Sequence, residues 1–93
     1  MEKIITFPKI TIYTKQTCPF CVKAKNLLET KGVDISCVEE IRVDLNQDAL
    51  QEMMQKTNRR TVPQIWIGDK WIGGFDDLSA LDKSGELNKL LTN

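Results

Sequence analysis

Over "KITIYT" (9–14) apolar and polar residues alternate with a period of two, β-branched residues recur, and a strand is predicted. From Pro19 the period changes: Cys21, Ala24 and Leu28 fall at i, i+3 and i+7, one stripe of a helix that runs to Lys31. Gly32 then suits the left-handed position that ends a helix. A second strand is expected within "DISCVEEIRVD" (34–44), and an amphipathic helix over 47–57 with Ala49, Leu50, Met53 and Met54 on one face. A methionine pair at that spacing reads as core. "TVPQIWIGDKWIGG" (61–74) reads as two short strands turning at Gly68-Asp69, and helix closes the chain over Asp76–Ser84 and Glu86–Leu91, broken near Gly85.

The order β-α-β-α-β-β-α makes the first β-α-β unit parallel and right-handed and the last hairpin antiparallel to it. That is a thioredoxin-like α/β fold: one mixed four-stranded sheet with helices on both faces. Pro8 cannot donate to a sheet and suits the approach to a strand, so residues 1–8 read as a short N-terminal extension and 9–93 as the domain.

Composition narrows the setting. Ninety-three residues, 41% hydrophobic and 28% charged, suit one globular domain. Thirteen basic residues balance thirteen acidic ones, which leaves no net field to recruit nucleic acid or an anionic membrane. With no apolar stretch fit for a signal peptide or a bilayer span, the expected place is cytoplasmic. In a reducing compartment a Cys-x-x-Cys pair is catalytic or metal-binding rather than a staple. Cys37, the third cysteine, has no obvious partner and reads as a small filler in a strand, bulge or loop.

"QTCPFCVK" (16–23) gives its two sulfurs different work. Pro19 suits the first helical turn, so Cys18 lies at the N-cap, facing unpaired N–H groups and the positive end of the helix dipole, both of which favour thiolate. Cys21 sits on the apolar stripe and is buried if that stripe faces the core. Thiols in such motifs ionise at roughly 3.5–7.5 against about 8.5 when free. Intrinsic nucleophilicity falls as thiolate grows, so what improves is departure from a mixed disulfide. A closed zinc site needs four Cys or His ligands, and three cysteines without histidine fall short. A cluster shared by two subunits stays open.

Two further stretches carry chemistry. Pro63 opens a strand, and on base rates its peptide bond is trans, since only about 5–6% of X-Pro bonds are cis. A cis Val62–Pro63 bond would instead turn the Val62 backbone toward an extended thiol-bearing peptide. In "IGGFDDL" (72–78) the glycines allow close approach, and Asp76 or Asp77 can cap a helix. The same residues, with Lys15, Arg59 or Arg60, would also suit a small zwitterion such as glutathione.

"YTKQTCPFC", "TVPQIWI" and "IGGFDDL", in this order, closely resemble the dithiol glutaredoxins of small bacterial type. The resemblance implies a glutathione-dependent thiol–disulfide oxidoreductase, with Cys18 as nucleophile and Cys21 as resolving thiol. It implies Lys15 and a loop arginine, Arg60 preferred, on the glycine carboxylate of glutathione. Phe20 would form an aromatic wall, Thr61, Val62 and a cis Pro63 would face the cysteinyl unit, and Gly74, Phe75, Asp76 and Asp77 would hold the γ-glutamyl end. Phe20 replaces the more usual tyrosine, and Phe75 a cysteine or serine. Implied too are glutathione as cosubstrate, no tightly bound cofactor or metal, disulfide-containing or glutathionylated proteins as partners, and a monomer. Two alternatives are a redoxin reduced by thioredoxin reductase and a non-catalytic iron–sulfur scaffold ligated by glutathione. Trp66 and Trp71 read as packing.

Overall fold

The computed structural model describes residues 8–91; the expected extension, apart from Pro8, lies outside the described residues. The elements are β1 (Ile10–Thr14), α1 (Pro19–Thr30), a single 3-10 turn (Ile35–Cys37), β2 (Val38–Arg42), α2 (Gln47–Thr57), β3 (Gln64–Ile67), β4 (Lys70–Gly73), α3 (Phe75–Ser84) and α4 (Glu86–Leu91). The sheet order is β2-β1-β3-β4. β1 runs parallel to β2 and antiparallel to β3, and β4 is antiparallel to β3. This is the mixed thioredoxin-like sheet expected from the pattern.

Alternation along β1 divides the core in two. Ile10 and Ile12 join Ala24 and Leu28 of α1, Leu78 of α3 and Leu87 and Leu91 of α4 on one face. Tyr13 points the other way, to Val43 and to Met53 of α2, with Ala49, Leu50 and Met54 packed around them. Burying side chains of this kind contributes about 1.5–3 kcal/mol each, which locks α1 and α3 against the strands that carry the site. Among the described residues no helix is long and apolar enough to cross a membrane.

The second strand lies within 34–44 as expected, and a 3-10 turn precedes it. Asp34 accepts the Ser36 N–H at 2.9 Å through its side chain, and its carbonyl accepts Cys37 N–H at 2.9 Å. Asp side chains favour such local bonds over a sheet ladder. Of the places expected for Cys37, the strand, bulge or loop, the structure gives the end of this turn just before β2, half-buried against the larger core.

Candidate active site

Cys18 is the N-cap of α1 and Pro19 its first helical residue. The Cys21 N–H donates to Cys18 Sγ at 3.1 Å, and the Cys18 carbonyl accepts from Cys21 and Val22 at 3.1 and 3.2 Å. The Val22 bond is the first i→i−4 bond of the helix, while Cys21 N–H is a first-turn group with no i→i−4 partner and turns to the Cys18 carbonyl and sulfur instead. The turn leading to Cys18 is tied down by Gln16 N–H, which donates to Asp44 Oδ2 at 3.2 Å. Arg42 forks onto the same carboxylate at 2.6 and 2.7 Å and holds it well down, at about 2. The anchor therefore stays charged at any ordinary pH.

Burial separates the sulfurs. Cys21 is 2% exposed, beneath a partly exposed Cys18. A disulfide joins them, with Cα atoms 5.2 Å apart, so the structure holds the oxidised state of the pair.

Opposite the sulfurs stands the loop between α2 and β3. Antiparallel pairing sets Tyr13 across from Gln64, so the end of β1 and the start of β3 meet on one side of the sheet. The Val62–Pro63 bond is cis, against the base rate and as the resemblance implied. The Val62 carbonyl oxygen lies 3.7 Å from Cys18 Sγ. At the loop's other end Asn58 closes α2 in the left-handed region, at φ 57°. Thr57, almost buried, donates its hydroxyl to the Met53 carbonyl at 2.8 Å and accepts Arg59 N–H at 3.0 Å.

A hollow of about 210 Å³ runs from this loop to the start of α3. Phe20, Thr61, Val62, Pro63, Gly74, Phe75, Asp76 and Asp77, all singled out above, line it together. Phe20 and Phe75 make one wall, their ring centroids 6.1 Å apart. Asp77 accepts the Gly74 N–H at 3.0 Å and faces Arg59 at 3.6 Å. Gly73 sits at φ +114°, and a Cβ there would collide with the Asp77 carboxylate, so the approach needs glycine.

Two expected residues stand apart from the lining. Lys15 and Arg60 are exposed outside it, and the arginine that lines the hollow is Arg59. The Thr57 hydroxyl ties down the Arg59 backbone, and the Arg59 side chain meets Asp77 at 3.6 Å and lies 5.1 Å from the Trp71 ring centroid. Sequence reasoning also passed over Gln64, a buried member of the lining. A polar residue within an apolar strand run was the available signal. A larger hollow, about 450 Å³, lies on the sheet beside Tyr13, Trp66 and Trp71, with no cysteine in its lining. Among the described residues no group of three or more His, Cys, Asp or Glu side chains is placed to hold a metal.

This geometry agrees with what the chain resembles. The glutaredoxin family model matches residues 10–72. A glutaredoxin of Pseudomonas aeruginosa is 46% identical over 85 residues, which are 91% of this chain and 98% of that protein. Glutaredoxin 3 of Escherichia coli K12 is 49% identical over 82 residues, 88% of this chain and 95% of that one. A buckwheat glutaredoxin–glutathione complex superposes with a TM-score of 0.79 at 32% identity, covering 92% of this chain and 77% of that one.

Proposed function

The chain belongs to the glutaredoxin family, a family of glutathione-dependent thiol–disulfide oxidoreductases, and from that premise we propose how its residues divide the reaction. Cys18 is the nucleophile. In the reduced protein its thiolate attacks the glutathione sulfur of a protein–glutathione disulfide. The S–S bond breaks, and the substrate's thiolate leaves and takes a proton from solvent. A glutathione thiolate then attacks the glutathione sulfur held on Cys18, releasing glutathione disulfide and returning Cys18 as thiolate.

A protein disulfide uses both cysteines. Cys18 attacks one sulfur and forms a mixed disulfide; Cys21, deprotonated, attacks Cys18 Sγ and expels the second substrate thiolate. The Cys18–Cys21 disulfide is the product, the state described above. One glutathione thiolate opens it at Cys18, and a second removes the glutathione from that sulfur.

The groove then serves as the glutathione seat. The Thr61 and Val62 backbone pairs with the cysteinyl unit beside Pro63, and the first turn of α3 with Asp77 takes the γ-glutamyl carboxylate and ammonium. Arg59, with Arg60 beside it in the chain and Lys15 from the turn before Cys18, supplies positive charge for the glycine carboxylate. Phe20 and Phe75 wall the site. We place the reaction in the cytoplasm, where thiol pools are reduced, acting as a monomer on glutathionylated and disulfide-bearing proteins, with glutathione as cosubstrate and no bound cofactor.

The observation that carries this reading is the unequal pair: Cys18 reachable at a helix N-terminus and 3.7 Å from the Val62 carbonyl, Cys21 buried beneath it. The test is NADPH-coupled turnover with glutathione and its reductase, run beside thioredoxin reductase. Turnover with the first system supports the reading; turnover with thioredoxin reductase alone defeats it.

A further inference from the structure

Trp71 lies on β4, outside the groove, yet two parts of the groove lean on it. Its indole Nε1–H donates to Gln64 Oε1 at 3.0 Å. At the other end of that amide, Gln64 Nε2 donates to the carbonyl and hydroxyl oxygens of Thr61, at 3.1 and 3.3 Å. An indole N–H can only donate, so it turns the carbonyl end of the amide toward itself and the amino end toward Thr61. Gln64 is 1% exposed, and a buried amide deprived of one partner loses its single orientation. The face of the same indole carries the Arg59 guanidinium, 5.1 Å from the ring centroid.

Trp66 is the internal contrast. It stacks on Trp71 with centroids 6.4 Å apart, but its other contacts run away from the groove, to Tyr13 at 5.4 Å and under Lys56 at 5.9 Å.

Resting on the glutathione reading above, we propose that Trp71 is a positioning residue for the groove. It sets the Thr61 backbone through Gln64 and holds Arg59 where a ligand carboxylate reaches it. Because α1 fixes the sulfurs independently, Trp71 governs how tightly the glutathionyl group is seated and leaves the exchange chemistry alone.

The experiment compares W71F, W71L and W66F in reductase-coupled turnover of a glutathionylated peptide. Trp71 is 38% exposed, and substitution at such a surface position leaves the fold standing. W71F keeps a ring face for Arg59 and loses only the donor, so its KM should rise about 3- to 10-fold with kcat within about twofold of wild type. W71L, which loses both contacts, should raise KM further, and W66F should leave it within about twofold. A W71F KM that does not move overturns the proposal, as does a W66F KM that rises equally, because the effect would then be general packing. Wild-type protein that turns over no glutathionylated peptide defeats the function proposed above; wild-type turnover with an unmoved W71F KM defeats this inference alone.

Discussion

Asp77 has two tasks that one substitution can separate. Its Oδ2 accepts the Gly74 N–H at 3.0 Å and so caps α3, and its carboxylate, 3.6 Å from Arg59, carries the charge proposed to meet the ligand's ammonium. D77N keeps an acceptor at the cap and removes the charge, whereas D77A removes both. Loss of a cap costs about 1 kcal/mol, which for a domain of this size lowers Tm by about 4–8 °C. A bond to a charged ligand group is worth about 1.5–3 kcal/mol when desolvated, but this side chain is 51% exposed, so the lower end applies. That corresponds to roughly tenfold in KM. The Arg59–Asp77 pair itself is exposed and contributes little to stability. D77N should therefore raise KM about tenfold at nearly unchanged Tm, and D77A should raise KM similarly while unfolding about 4–8 °C earlier. Reductase-coupled turnover and thermal unfolding read the two effects separately. A D77N protein with wild-type KM, or one that unfolds as early as D77A, refutes the division of labour.

Further outcomes follow from the same geometry. Cys18→Ser should abolish all turnover, while Cys21→Ser should still reduce glutathionylated substrates and fail on protein disulfides; turnover surviving in Cys18→Ser reverses the assignment. Tyr13, the single tyrosine, is pushed up to about 12 by burial and by its hydroxyl bond to Glu52 at 3.0 Å. Its folded pKa lies above the unfolded one, so the contribution is complete below pH 10 and declines as pH rises from about 10 to about 12, by about 3 kcal/mol in all. Phenolate absorbance during titration of the native protein checks it, and a midpoint near 10 contradicts it. Gly73→Ala should cost about 1–3 kcal/mol and raise KM, because its Cβ meets the Asp77 carboxylate at a positive φ; wild-type Tm and KM in that variant would show that Asp77 has room to move.

What was legible in the sequence was whatever a short window encodes. The stripe of Cys21, Ala24 and Leu28 predicted α1 and buried all three residues, and Pro19 with Cys18 marked its N-terminus. The hairpin at Gly68 and the break at Gly85 were equally local. The second strand was placed only somewhere within 34–44, and its start at Val38 was not legible because the side-chain bond from Asp34 competes with strand pairing over three residues. In the groove, residues with special backbone needs announced themselves, while those selected by long-range geometry did not. Arg59 and Arg60 are chemically identical, and what marks out Arg59 is its contacts with Asp77 and Trp71, both far along the chain. The cis bond at Pro63 was implied by family likeness and not by any residue nearby. Trp71 read as packing because its value lies in one donor aimed at a buried amide seven positions away.

The Cys18–Val62 approach spans 44 positions of chain, whereas the sulfurs themselves are three apart. During synthesis the two cysteines leave the ribosome long before the surface proposed to seat the cosubstrate has been made. Until β3 docks against β1 in register, the pair stands without the proposed seat. A slip of one residue in that pairing shifts the two halves by about 3.3 Å and reverses every side chain of the strand, so selectivity arrives only with the finished sheet.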